Sequence, residues 1–125
     1  MNELTFFQCE TCGNLVYRLN EGKGQMVCCG QPMTKLVPGS VDASQEKHVP
    51  ALKREGNKLH VVVGAVEHPM TEKHYIQWIA TVQGSHVQFR LLTPEDKPTA
   101  DFTICEGSAR VYAFCNLHGL WTAEA

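Results

Sequence analysis

Apolar and polar residues alternate along much of this chain, and the alternation comes in short pieces. Leu59-His60-Val61-Val62-Val63 reads as one strand. In a second, Ile76, Trp78, Ala80 and Val82 share a face, with Gln77 and Thr81 opposite. Val87, Phe89 and Leu91 alternate with His86, Gln88 and Arg90, and Phe102 with Ile104, then Val111, Ala113 and Cys115, continue the period of two. No segment sustains a period of 3.6, so no long amphipathic helix is expected. Gly, Pro, Asn and Asp punctuate the pieces. Several short strands so spaced predict an antiparallel β-sandwich over residues 46–125. No repeat of solenoid length is present, although Glu-Lys-His occurs at 46–48 and again at 72–74.

Residues 1–37 are patterned differently. Stretches such as Leu15-Val16-Tyr17 are too few to bury a self-sufficient core, so something besides apolar burial must hold the segment together. Cys9, Cys12, Cys28 and Cys29 supply a metal staple. Cys9 and Cys12, three positions apart before Gly13, form a knuckle on a tight turn, and Gly13 permits the positive φ of that turn. Cys28 and Cys29 are adjacent. Neighbours on a regular strand point to opposite faces, so both reach one ion only if the backbone bends there, a freedom Gly30 supplies. Four thiolates suit zinc or iron. Pro38-Gly39-Ser40 and the polar residues through Gln45 read as a linker over 38–45.

Composition narrows the function classes. Eleven Lys plus Arg against thirteen Asp plus Glu leave a net charge of −2, with no broad positive surface for a polyanion, so nucleic-acid binding is not expected. The longest near-continuous apolar run, Leu59 to Val66, contains His60 and Gly64 and falls far short of the ~20 residues of a bilayer helix. The first residues carry no basic start and no long apolar stretch, so the expectation is a cytoplasmic chain. In a reducing compartment the six cysteines point to metal ligation rather than disulfides.

A second constellation lies in the sandwich segment. His48, His68 and His74 stand beside Pro or charged residues at segment boundaries, where loops present ligands from a rigid scaffold. Cys115 and His118 stand three apart on a turn closed by Gly119. Four imidazoles and one thiolate do not suit structural zinc, which closes at four ligands. Five such donors suggest a square pyramid around iron with one position free. A thiolate opposite that position would push electron density toward whatever binds there, as in thiolate-ligated haem. An exposed cation beside it would attract a small anion, and Lys47 is the candidate.

At this point the motifs become specific. Cys9-x-x-Cys12 with Cys28-Cys29 resembles desulforedoxin. The order Glu46-Lys47-His48, His68-Pro69-Met70, Glu72-Lys73-His74, Cys115-Asn116-Leu117-His118 resembles the desulfoferrodoxin family, the two-iron superoxide reductases, across essentially the whole chain. The resemblance implies one iron held by Cys9, Cys12, Cys28 and Cys29. It implies a catalytic non-haem iron with His48, His68, His74 and His118 equatorial and Cys115 axial. It further implies an immunoglobulin-like sandwich, a homodimer and a rubredoxin-type electron donor. The implied reaction is one-electron reduction of superoxide to hydrogen peroxide, with Lys47 steering superoxide and protons. By the same analogy, Glu46 occupies the sixth position in the oxidised resting state.

Other chemistry-bearing residues take ordinary readings. Glu72 and Lys73 belong to a solvated face, His60 and His86 to strands, Trp78 and Trp121 to the core. Tyr75 packs beside His74, and Cys105 is expected as a buried free thiol. The rival readings are an electron carrier of blue-copper or rubredoxin type without superoxide chemistry, and a binding module carrying a zinc ribbon. Blue-copper sites use two His, one Cys and a weak axial Met, and no Met follows His118.

Overall fold

In the computed structural model, which describes residues 3–125, the short apolar pieces of the first segment pair into two small sheets. Strands β1 (Phe6–Gln8), β2 (Leu15–Tyr17) and β5 (Thr34–Lys35) form one sheet in the order β2-β1-β5, and β3 (Val27–Cys28) pairs with β4 (Gln31–Pro32). Only Phe6 and Cys9 are buried among the apolar side chains of this unit, which spans Glu3–Val37. Phe6 packs against Tyr17 with centroids 5.8 Å apart, and the Arg18 guanidinium lies 4.9 Å from the Phe7 ring centre. So thin a core leaves the four cysteines as its main staple.

The second unit, Pro38–Ala125, begins with one helical turn, α1 (Gln45–His48), and continues as seven strands. These are β6 (Pro50–Glu55), β7 (Lys58–Val63), β8 (Ile76–Gln83), β9 (His86–Leu91), β10 (Thr99–Thr103), β11 (Arg110–Cys115) and β12 (Gly119–Glu124). All pair antiparallel, in sheets ordered β10-β7-β6 and β12-β11-β8-β9. Seven strands divided three and four make an immunoglobulin-like sandwich. Leu59, Val61 and Val63 of β7 meet Ile79, Val111 and Ala113 of the other sheet in a core closed to solvent. The residues read as a linker do not all stand free, since the Gly39 amide donates to the Leu120 carbonyl at 2.8 Å.

Three expectations need correction. Ile76 does not share a face with Trp78. The β11–β8 register shifts, pairing Phe114 with Trp78 but Cys115 with Ile76, so Gln77 is the extra residue of a β-bulge. The bulge turns Ile76 inward beside Ile79 and Cys115, while Trp78 stacks on Phe114 on the opposite face at 5.7 Å. Thr81, expected on a polar face, is 1% exposed, and its hydroxyl donates to the Arg110 carbonyl at 3.1 Å. Cys105 is exposed rather than buried. The Gln83 amide holds its backbone at the surface, accepting from the Cys105 N–H and donating to its carbonyl, each at 2.7 Å.

Ile79→Ala opens a cavity between the sheets. It should lower unfolding free energy by about 2–5 kcal/mol. Urea unfolding followed by the fluorescence of Trp78 and Trp121, both in this unit, measures it; an unchanged midpoint would contradict the packing described.

Candidate metal centres

The four cysteines of the first unit come together. Their sulfur atoms lie within 4.8 Å of one another, with Cys12 and Cys28 Sγ 3.6 Å apart. Gly13 takes φ +84° in the knuckle turn and donates its N–H to the Cys9 carbonyl at 2.9 Å. The bend needed between the adjacent cysteines falls on Cys29 itself, at φ +53°, followed by Gly30 at φ +74°. This pair of left-handed residues joins β3 to β4 and brings both thiols to one side. The Cys12 amide donating to its sulfur holds the Cys9 thiol down to about 6, whereas the thiols of Cys12 and Cys9 push Cys29 up to about 12. One thiolate forms readily and the last resists ionisation. A bound cation removes that resistance, which is the condition for a four-thiolate site.

The second cluster sits at one end of the sandwich. His48 closes α1 just before β6, His68 and His74 stand in the loop from β7 to β8, and Cys115 and His118 bracket the turn from β11 to β12. The ligand atoms of His48, His68, His74 and Cys115 lie within 4.8 Å of one another. His118 joins through Nδ1, 3.1 Å from His48 Nε2 and 4.0 Å from Cys115 Sγ. His48, His68 and Cys115 are buried, and His74 and His118 partly so.

The hydrogen bonds of two rings decide what the cluster is for. His48 Nδ1 lies 2.6 Å from the Ser44 carbonyl and His68 Nδ1 2.7 Å from the Pro69 carbonyl. A carbonyl only accepts, so each Nδ1 carries the proton and each neutral ring turns a bare lone pair inward at Nε2. Those two Nε2 atoms are 3.2 Å apart. The Nε2 of His74 is buried with no hydrogen-bond partner. Facing lone pairs repel, and a buried nitrogen without a partner costs stability, unless a cation sits among them. Imidazole and thiolate together suit a first-row transition metal, so the donors present fit an iron ion.

Protonation agrees with that use. Burial pushes His68 down to about 4, and burial first, then neighbouring charges, lowers His48 and His74. The three rings are therefore neutral at pH 7, the form in which an imidazole can ligate a metal. Lys47 is exposed on α1, near enough that its charge contributes to lowering both His48 and His74. Glu46 is exposed beside it, with its carboxylate outside the mutually close donor set. Burial raises the Cys115 thiol, against the pull of the Leu117 and His118 amides.

Comparison with known proteins decides the family. The desulfoferrodoxin family model matches residues 40–124 and the desulfoferrodoxin N-terminal domain model matches residues 1–36. The chain belongs to the desulfoferrodoxin family. A desulfoferrodoxin homolog from Archaeoglobus fulgidus is 47% identical over 115 residues, covering 92% of each chain. The crystal structure of the superoxide reductase from Treponema pallidum superposes with a TM-score of 0.77 at 31% identity, covering 97% of this chain and 98% of that one. A superoxide reductase from Pyrococcus horikoshii is 35% identical over 113 residues, covering 74% of this chain and 96% of its own.

Other parts of this desulfoferrodoxin site carry no pattern in the sequence. Trp121 stacks on the His48 ring at 5.1 Å and donates its indole N–H to the His118 carbonyl at 3.0 Å, so it serves the site as well as the core. Gly64 matters for space. A Cβ there would stand 2.7 Å from the carbonyl oxygens of both Glu46 and Val49, so only glycine lets α1 lie against the end of β7. The other sandwich histidines stay outside the cluster: His60 pairs with Asp101 at 2.6 Å, and His86 is exposed on β9.

Gly64→Ala should shift α1 and weaken iron binding at the second centre by about tenfold or more while the four-cysteine centre keeps its metal. Competition with a chelator measures both. Because the Cys115 thiol is protonated at pH 7 and must lose its proton to ligate, iron affinity should fall as pH falls. Loading the wild type should release about one more proton per iron than loading Cys115→Ser, read by calorimetry in buffers of differing ionisation heat.

Proposed function

We propose that this chain reduces superoxide to hydrogen peroxide at the cluster of His48, His68, His74, His118 and Cys115, and that these five residues hold a catalytic iron. One observation carries the reading: five inward-facing donors at the loop end of a sandwich, two of them bare lone pairs 3.2 Å apart, beside an exposed lysine. The superoxide reductases among the relatives support it. Iron bound there supplies one electron to superoxide, which with two protons becomes hydrogen peroxide.

The chain's own groups do the remainder. Lys47 draws the superoxide anion to the open face and orders water for proton delivery from solvent. Glu46, on the same turn, covers that face in the oxidised resting form and leaves it on reduction. Cys115, made hard to ionise by burial, concentrates negative charge on its sulfur once ligated, and the Leu117 and His118 amides stabilise that charge. Ser44 and Pro69 hold the imidazoles of His48 and His68 in the tautomer that ligates.

The wider assignment follows the same reading. Residues 1–37 form a four-cysteine iron domain, 38–45 a linker and 46–125 the catalytic domain. The protein works as a homodimer in the cytoplasm, and a rubredoxin-type protein returns the electron. An electron carrier of blue-copper type would leave two of the four imidazoles without a role.

Superoxide supplied under anaerobic conditions with a reductant should yield peroxide and no oxygen; oxygen released in equal amount would mean dismutation and refute the proposal. Lys47→Ala should slow capture by about tenfold or more and flatten its salt dependence, with iron content intact. Pulse radiolysis at several ionic strengths measures this, and an unchanged rate removes Lys47 from the reaction.

A further inference from the structure

The four imidazoles are not steered in the same way. The rings of His48 and His68 are fixed at Nδ1 by carbonyls, and the carbonyl of His118 is held by the Trp121 indole. His74 has no such partner on either ring nitrogen among the described residues. Its direction rests on its backbone. Two features hold that backbone: the turn with Thr71, closed by hydrogen bonds of 2.9 and 3.1 Å, and Asn116.

Asn116 lies between Cys115 and His118 and reaches across to both flanks of His74. Its Oδ1 accepts from the Tyr75 N–H at 3.0 Å, its Nδ2 donates to the Lys73 carbonyl at 3.0 Å, and its own N–H donates to the Tyr75 carbonyl at 3.3 Å. Three hydrogen bonds from one residue thus bind the loop that carries His74 to the turn that carries Cys115 and His118. We propose that Asn116 is the positioning residue that sets His74 against Cys115 and His118. It acts through backbone, whereas the rings of His48 and His68 are fixed directly at Nδ1. The short planar amide suits the task, since it offers one acceptor and one donor to groups on either side of a single residue. A carboxylate of the same size keeps the acceptor toward Tyr75 but turns a second acceptor on the Lys73 carbonyl.

The inference rests on the reading that His74 ligates iron, and its test reads iron binding rather than superoxide chemistry, so the two fail separately. Asn116→Ala and Asn116→Asp are prepared as two-iron holoprotein. Release of iron to a ferrous chelator is timed after reduction, and the visible thiolate-to-iron absorption is recorded after oxidation. Both variants should lose the second iron about 10–100-fold faster than wild type. The absorption band of that centre should shift, and the four-cysteine iron should leave at its usual rate. Wild-type release with an unmoved band in both variants overturns the proposal. So does accelerated loss accompanied by an equal drop in metal-free thermal stability and an unmoved band, since that marks Asn116 as a prop of the fold only.

Discussion

Two imidazole lone pairs pointed at each other across 3.2 Å are the constraint around which the catalytic unit is arranged. Each ring donates its only N–H to a backbone carbonyl, so neither relieves the other by donating. Nearby lie a third buried nitrogen without a partner and a thiol made hard to ionise by burial. Such a set is unfavourable as an empty pocket and favourable around a cation, so metal binding and the folding of these loops reinforce each other. The sandwich tolerates the cost because most of its core, centred on Leu59, Val61, Ile79 and Val111, lies outside the donor set, with Cys115 the one donor packed into it.

The scaffold explains why the donors converge. Antiparallel pairing puts the start of β6, the end of β7, the start of β8 and the β11–β12 turn at one end of the sandwich, and all five donors lie on or beside those connections. The bulge at Gln77 turns Ile76 inward beside Cys115, so the strand that ends in the thiol packs its last residue into the core. Gly64 then leaves room for α1, which brings His48 inward and keeps Lys47 exposed.

Much of this was legible before any coordinates. Period-two patterning identified β7, β8, β9 and β11, because a strand with one buried face must alternate. It did not identify β6 or β12. In β6 the apolar residues Pro50, Ala51 and Leu52 run consecutively rather than alternating, and Gly119-Leu120-Trp121 places two buried side chains in succession. Nor does periodicity reveal a bulge, and so Ile76 was assigned to the wrong face. Cys9, Cys12, Cys28, Cys29 and the His/Cys set stood out because ligand residues are scarce and their spacings tight. The fixing groups were invisible: Ser44 and Pro69 act through carbonyls that every residue possesses, and Asn116 acts through distance in space. Cys105 was misread because its residue type favours burial, while the Gln83 amide, far away in sequence, pins it at the surface.

The central claim is that four imidazoles and one thiolate share a single iron. X-ray absorption at the iron edge on a Cys12→Ser variant, in which only the second centre is filled, tests it directly. The expected shell holds four nitrogens and one sulfur, the number of donors gathered at the loop end. A shell without sulfur, or one dominated by carboxylate oxygen, would contradict it.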